Sequence, residues 1–313
     1  MTNRPTQEVM LVAELTANTT GNNLPDASIL ADLDRLPAIS TVVAEVLKIT
    51  SSPTTSAADL ARAIAKDPVL SARALRIANS GYFSLQARVA TIQQAVVVLG
   101  MDLVRACTLS AAVTQVLKPT RLVAGFGLEA YWHHCACVAC TAEDIARTTV
   151  SEFRQEAFTG GLLHDIGSLI LACVVPDAYG VVLAEGRQTG RALRDVERRV
   201  FGIDHATLGA EAARRWQFPD VLVDMIAYHH SPAEAPAESA PLAAAVHIAD
   251  AVAHGMGSAG CETAYAPRTD FKAWGLLGGL RTGMQPGEAE RCAQKLQHQA
   301  ESVEKLSRAL LVA

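Results

Sequence analysis

Residues 160–171 read GGLLHDIGSLIL and set His164 and Asp165 side by side inside an otherwise apolar run. An imidazole beside a carboxylate is costly to bury unless a metal, a proton partner or a phosphate group compensates. The pair therefore needs partners, and other histidine and acid groupings are at hand. His229 and His230 are adjacent in the sequence. His247, Asp250 and His254 fall on one helical stripe, so either outer histidine is placed to orient Asp250. Cys135, Cys137 and Cys140 follow His133 and His134, and CVAC has the form C-x-x-C. On a helix only His133, Cys137 and Cys140 share a face, so a four-ligand zinc site would need a partner elsewhere. Helix packing through small residues is the simpler reading. A redox role is weaker still, because no helix N-terminus is expected there to activate a thiol.

These residues sit in a chain that reads as helical almost throughout. Pro37 opens a segment with Ile39, Val42, Val43, Val46 and Leu47 at three- and four-residue spacing, one buried helical stripe. Ser56-x-x-Asp59 forms a capping box for the next helix. Asp67-Pro68 starts another, which Asn79-Ser80-Gly81 stops. Helical patterns follow over 91–99 and 101–117, interrupted by Gly100. Further helices are expected over about 128–148, 152–173, 177–188, 191–201, 204–216, 219–230 and 241–254. Eight of the nine histidines lie in this second set. The tail has a glycine-rich turn from Gly275 to Gly279 and then a helix from Gly287 to Leu311, whose Leu and Ala spacing predicts docking or self-association, a route to a homo-oligomer.

Composition limits the functions available. Half of the 313 residues are apolar, 19% are charged and 5% are aromatic, which favours close packing of Ala, Val and Leu on helices. The expected class is all-α. A net charge of -5 supplies no basic field for non-specific nucleic-acid binding. Glu8 and Glu14 fall where an export signal would need apolar residues, and uncharged apolar runs stop short of the ~20 residues that span a bilayer. The expected setting is cytoplasmic. Seven cysteines spread through a long chain do not read as a secreted disulfide framework.

The motifs DPVLSARALRIANSGYF (67–83) and TIQQAVVVLGMDLVRACTLS (91–110) resemble the first lobe of the bacterial HDOD family. WHHCACVA, FTGGLLHDIGSLIL, FGIDHATLGAEAARRW, IAYHH and HIADAVAH resemble its second lobe, itself related to the HD phosphohydrolases. The resemblance implies an all-helical two-lobe module of bacterial signalling. The divisions it suggests are a lead-in over 1–27, an N-terminal helical lobe over 28–120, an HD-like lobe over 121–255 and a C-terminal extension over 256–313. Leu75, Ile77, Ala78, Tyr82 and Phe83 are then core and inter-lobe contacts rather than a partner groove.

In the hydrolase branch the first His, the His-Asp pair and a distant Asp hold a metal, and the matching positions here are His134, His164, Asp165 and Asp250. The resemblance places His205, His229 and His230 where two-metal relatives add ligands, and helical spacing adds His247 as a further outer partner. Such a set suits a divalent iron, manganese, zinc or nickel ion. The bland alternative is a polar network in which Asp165 and Asp250 accept hydrogen bonds from imidazoles and lock the helices together. Hydrolases that cut cyclic dinucleotides usually carry a Lys after HD-Ile-Gly and a Gly-Tyr-Pro after the paired histidines. This chain has Ser168 and SPAEAPAES instead. Without that fixed positive charge, stabilisation of developing phosphate charge is weakened. The expected function is therefore signal transduction through a protein partner or a nucleotide or cyclic-dinucleotide ligand. The rival is a metal-dependent phosphohydrolase in which Asp165 is the catalytic residue.

Overall fold

In the computed structural model, residues 39–50, 56–119, 121, 123–149, 154–258, 260, 271–278 and 287–312 are described. Among them no strand occurs, in keeping with an all-α chain. The lead-in over 1–27 lies outside the described residues.

Local sequence signals set the first helices. α1 (Thr41–Thr50) buries Val42, Val43, Val46 and Leu47 as one stripe. α2 (Ala57–Ile64) begins at the expected capping box: the Asp59 N–H donates to the Ser56 hydroxyl at 3.2 Å and the Ser56 N–H to the Asp59 carboxylate at 3.0 Å. α3 (Pro68–Ala78) is capped by Asp67, which accepts from the Val69 and Leu70 N–H groups. After a short 3-10 turn (Gly81–Phe83), a second capping box, Thr91 with Gln94, opens α4 (Ile92–Leu99). Gly100, at φ +88, turns the chain directly into α5 (Met101–Val116), a backbone angle that side-chain-bearing residues avoid. Tyr82 and Phe83 leave this group to pack on Phe158, with Tyr82 stacked on it at 5.8 Å, as expected for contact residues.

α6 (Leu128–Thr149) is the central element, packed against α7 (Arg154–Leu163), a later helix α13 (Ala240–Gly255) and the last helix α16 (Ala300–Val312). Its middle is made of small buried residues: Cys135, Ala136, Cys137, Ala139, Cys140 and Ala142. Gly161 of α7 lies so close to the Ala139 backbone that a side chain there would overlap it. The cysteines therefore serve close helix approach. Burial pushes the Cys137 thiol up to about 11 and raises those of Cys135 and Cys140 well above the usual thiol range, which keeps them protonated and unreactive.

The helix expected over 152–173 is two: α7 ends at Leu163 and α8 (Ile166–Val174) begins at Ile166, with His164 and Asp165 in the turn. The cause is local. His164 Nδ1 donates to the Gly161 carbonyl at 2.8 Å, competing with the helical ladder, and Asp165 takes the bridge conformation (φ -98, ψ 16). By length and composition Glu156–Val174 could cross a membrane, but 89% of the stretch is buried inside the fold.

The remaining elements are α9 (Pro176–Thr189), α10 (Leu193–Phe201), α11 (His205–Arg215), α12 (Asp220–Tyr228), α13, α14 (Phe271–Gly278), α15 (Glu288–His298) and α16. The glycine-rich turn expected at Gly275 to Gly279 falls instead in α14 through Gly278, because packing against α13 overrides the helix-breaking tendency of glycine. The single tail helix expected over 287–311 breaks at Gln299 into α15 and α16. The apolar stripe of α16, Val303, Leu306 and Leu310, is buried against α6 and the 3-10 turn. Leu306→Ala is therefore expected to destabilise the chain by about 3 kcal/mol, readable as a lower midpoint in chemical denaturation. Wild-type stability in that variant would contradict the docked position of α16.

Candidate metal centre

Two helix ends, one turn and two helix faces deliver the histidines and acids to a single place. α6 supplies His134, the α7–α8 turn supplies His164 and Asp165, the start of α11 supplies His205, the end of α12 supplies His229 and His230, and α13 supplies Asp250 and His254. α8 and α11 meet through Gly167, where an added Cβ would run into the His205 carbonyl, and Gly209, whose Cβ would lie 3.0 Å from the Gly167 nitrogen. That contact sets His205 beside Asp165.

The donor atoms form one continuous cluster. His134 Nε2 lies 3.2 Å from Asp250 Oδ1 and 3.9 Å from Asp165 Oδ2. His164 Nε2 is 3.5 Å from Asp165 Oδ1 and 3.9 Å from Asp250 Oδ1. On the other side of Asp165, the same Oδ1 is 3.5 Å from His205 Nε2 and 3.6 Å from His229 Nε2. His205 Nε2 and His230 Nε2 are 2.8 Å apart. Metal-competent groups emerge on both sides: His134, His164 and Asp165; His134, Asp250 and His254; and His205, His229 and His230, each with ligand atoms within 4.8 Å of one another. Asp165 is the carboxylate that faces both sides.

The imidazole tautomers follow from what each Nδ1 touches. His134 Nδ1 meets the Ser258 carbonyl at 2.6 Å, His164 Nδ1 the Gly161 carbonyl at 2.8 Å, and His229 Nδ1 the Ile226 carbonyl at 2.8 Å. A carbonyl oxygen only accepts, so each Nδ1 carries the proton and donates it. His205 Nδ1 donates to the buried Glu197 carboxylate at 2.6 Å, and the His205 backbone N–H donates to the same oxygen at 2.9 Å. When neutral, all four rings therefore aim Nε2 lone pairs into the cluster, and Nδ1 is fixed by an outer partner.

This arrangement bears on the choice between a metal site and a self-sufficient polar network. His164 Nε2 and His229 Nε2 are buried, and among the described residues neither has a hydrogen-bond partner. Unpaired buried acceptors are expensive, and lone pairs facing carboxylates repel one another. A divalent cation removes both penalties, and three or more imidazoles with two carboxylates make a borderline donor set suited to iron, manganese, zinc or nickel. The residues present thus fit the group the histidine and acid pattern implies.

The charges are consistent with the same picture. Burial alone would raise the Asp165 carboxyl, but the imidazoles of His164, His205, His229 and His134 outweigh it and hold it at about 2. Burial likewise opposes ionisation of Asp250, yet hydrogen bonds from His134 and His254 keep it well below the usual range. Burial pushes His229 down to about 3 and lowers His164 and His230. For His134 and His254 burial also acts downward, but the adjacent Asp250 wins and raises both above 6.5. A proton on His134 Nε2 competes with a metal for that atom. Metal uptake is therefore expected to weaken as pH falls from the alkaline side toward 6.5, measurable by competition with a chelating dye. Uptake that is flat across this range would contradict a ligand role for His134.

The structure brings together seven residues singled out by resemblance: His134, His164, Asp165, Asp250, His205, His229 and His230. His247 stands outside them; its Nδ1 donates to the His229 carbonyl at 2.7 Å and so steadies the end of α12. Of the two histidines flanking Asp250, it is His254 that reaches the carboxylate, at 3.3 Å. Glu197 was not singled out by sequence, although a glutamate inside the apolar stripe Leu193, Val196 and Phe201 of α10 is a usable signal. His133 is not part of the centre; it bonds the Ser258 hydroxyl at 3.1 Å.

Comparison with known proteins identifies the family and the fold. The family model for the HDOD domain matches residues 36–232, a span that contains every residue of the centre except Asp250 and His254. A protein of Treponema pallidum (strain Nichols), named only as uncharacterized, is 23% identical over 225 residues, 72% of this chain. The match spans 43% of that relative's length, less than half of it. A crystal structure from Shewanella amazonensis SB2B, provisionally named a phosphohydrolase, is 27% identical, with a TM-score of 0.68 over 90% of this chain and 98% of its own. An HDOD domain protein of unknown function from Geobacter sulfurreducens shares the fold at 21% identity, with a TM-score of 0.71 over 97% of this chain and 100% of its own.

Proposed function

The chain belongs to the HDOD domain family, and from that premise we propose that it is a bacterial signalling regulator built around a divalent-metal pocket, acting by binding rather than by efficient turnover. The observation that carries the metal part is the convergence of Nε2 lone pairs from His134, His164, His205 and His229 on Asp165 and Asp250, each Nδ1 being tied to an outer acceptor. His134, His164, Asp165 and Asp250 would hold one ion. When bound, such an ion supplies Lewis-acid chemistry toward water or phosphate oxygens.

Two features favour regulation over turnover. Ser168, standing where the related hydrolases usually carry a Lys, is a small buried residue of α8 and brings no positive charge to a phosphate. The ligands themselves are buried, the Asp165 side chain being only 11% exposed, which leaves little room for a cyclic dinucleotide to reach them. The output in this reading is contact with a signalling partner, in pathways linked to nucleotides or cyclic dinucleotides.

One observation favours the rival reading, a metal-dependent phosphohydrolase: His205, His229 and His230 form a second three-nitrogen group that shares Asp165 with the first. A site for two ions suits in-line attack on phosphorus, in which Asp165 would hold both ions in place. The two readings part in one assay. Protein loaded with manganese, iron, zinc or nickel is expected to give no hydrolysis of a cyclic dinucleotide or of bis(p-nitrophenyl) phosphate above that of Asp165→Ala. Turnover that disappears in Asp165→Ala would replace the regulatory reading with the enzymatic one.

A further inference from the structure

The metal centre is closed on most sides but not on all. The side chains of His134, His164, His205, His229 and Asp250 are buried. Asp165 keeps 11% of its side chain exposed, and His230 is only partly buried. The centre therefore approaches solvent along Asp165 and His230, on the side where His205 Nε2 and His230 Nε2 stand 2.8 Å apart.

A fixed cation stands on that side. α10 carries Glu197, whose carboxylate grips both the ring and the backbone N–H of His205, and Arg194 lies one turn earlier on the same face of the helix. The Arg194 side chain is 32% exposed. Among the described residues its one ion pair is to Asp195, through Nε at 4.0 Å, which is beyond hydrogen-bond reach and leaves both terminal nitrogens uncommitted. Its charge is felt inside the centre: burial, His229 and His205 lower the His230 imidazole, and Arg194 acts in the same direction. A guanidinium held beside imidazoles, with its terminal N–H groups unused, suits an anion rather than completing a structural ion pair.

We propose that Arg194 contacts the phosphate group of a small ligand, a phosphate monoester or inorganic phosphate, bound on the His230 side of the metal centre. The proposal rests on the metal reading above and gives that reading a ligand class. Charge supports the assignment. The Asp165 and Asp250 carboxylates neutralise one divalent ion, so an anionic ligand calls for further positive charge, which Ser168 does not bring and Arg194 does. The narrow opening at Asp165 selects a compact group over a cyclic dinucleotide, and guanidinium N–H groups match phosphate oxygens in pairs.

Calorimetric titration of the metal-loaded full chain, freed of excess ion, with inorganic phosphate tests the assignment, with elemental analysis of the same samples. The wild type binds phosphate saturably. Arg194→Ala keeps its metal and its thermal midpoint but binds phosphate about tenfold more weakly, the loss of one charge-assisted contact. Arg194→Lys, which keeps the charge without the planar fork, falls between the two. Asp165→Asn loses metal and phosphate together. Phenyl phosphate separates the two sources of the group: tighter binding than the free ion marks a monoester ligand, weaker binding marks inorganic phosphate, and Arg194→Ala weakens either. In metal-replete protein, the absence of saturable phosphate binding, or an Arg194→Ala variant that binds phosphate as the wild type does, would overturn this proposal alone. Equal phosphate binding by metal-free Asp165→Asn would overturn it by moving the ligand elsewhere. A wild type that takes up no metal would overturn the metal reading and this proposal with it.

Discussion

Asp165→Asn is expected to strip metal from both sides of the pocket at once, lowering affinity by well over a hundredfold. Removing an outer partner of a metal ligand typically costs 10–100-fold, and a shared first contact exceeds that. The reason lies in position: Oδ1 of Asp165 lies 3.5–3.6 Å from His164, His205 and His229, and Oδ2 reaches toward His134. Asparagine keeps the volume but loses the charge and turns one acceptor into a donor aimed among lone pairs. Glu197→Gln provides the graded comparison. It weakens the hold on His205 alone, so the loss should be about 10–100-fold and confined to the His205, His229 and His230 side. Elemental analysis and a chelator titration read both effects, and Asp165→Asn retaining wild-type metal would remove Asp165 from the centre.

Gly167→Ala is expected to destabilise the protein by about 3 kcal/mol, at the upper end of the usual cost of overpacking. The added methyl meets the His205 backbone carbonyl, and backbone cannot rotate out of the way as a side chain can. Two outcomes relieve the clash: α8 and α11 separate, or the helix unfolds locally. Either moves His205 away from Asp165, so metal held on that side falls together with stability. Gly275→Ala in α14 is the control, because among the described residues nothing lies within 4 Å of its Cβ position, and it should be neutral or slightly stabilising. Equal stability of Gly167→Ala and the wild type would contradict the close crossing of α8 and α11.

Much of this architecture was legible from residue order. Ser56 with Asp59, Asp67 with Pro68, and Asn79 after Ala78 announce helix ends because each satisfies backbone groups locally. The break between α7 and α8 was not legible. The helix breaker in LLHDIG, Gly167, lies inside α8 rather than at the break, and the turn depends on an imidazole taking a carbonyl from the ladder, a choice that tertiary packing makes worthwhile. His229 repeats the device at the end of α12, bonding the carbonyl three residues back. The paired histidines and His-Asp pair thus mark helix ends as much as ligands.

The centre itself was legible as a set of residues but not as a wiring diagram. Resemblance supplied His134, His164, Asp165, Asp250, His205, His229 and His230, and the fold brings all seven together. It did not supply the outer partners, because Gly161, Ile226 and Ser258 act through main-chain carbonyls that any residue carries. Helical spacing made His247 and His254 equivalent partners of Asp250, yet the crossing of α12 over α13 gives His247 to the His229 carbonyl and leaves His254 at the carboxylate.

In the proposed reading a divalent metal holds this cluster together. Elemental analysis of the wild type and His164→Ala, both purified without chelator, tests it most directly. Near-stoichiometric iron, manganese, zinc or nickel is expected in the wild type, with its loss in His164→Ala and a lowered thermal midpoint when the wild type is stripped. Metal-free wild-type protein whose stability is unchanged by added metal or by chelator would contradict it.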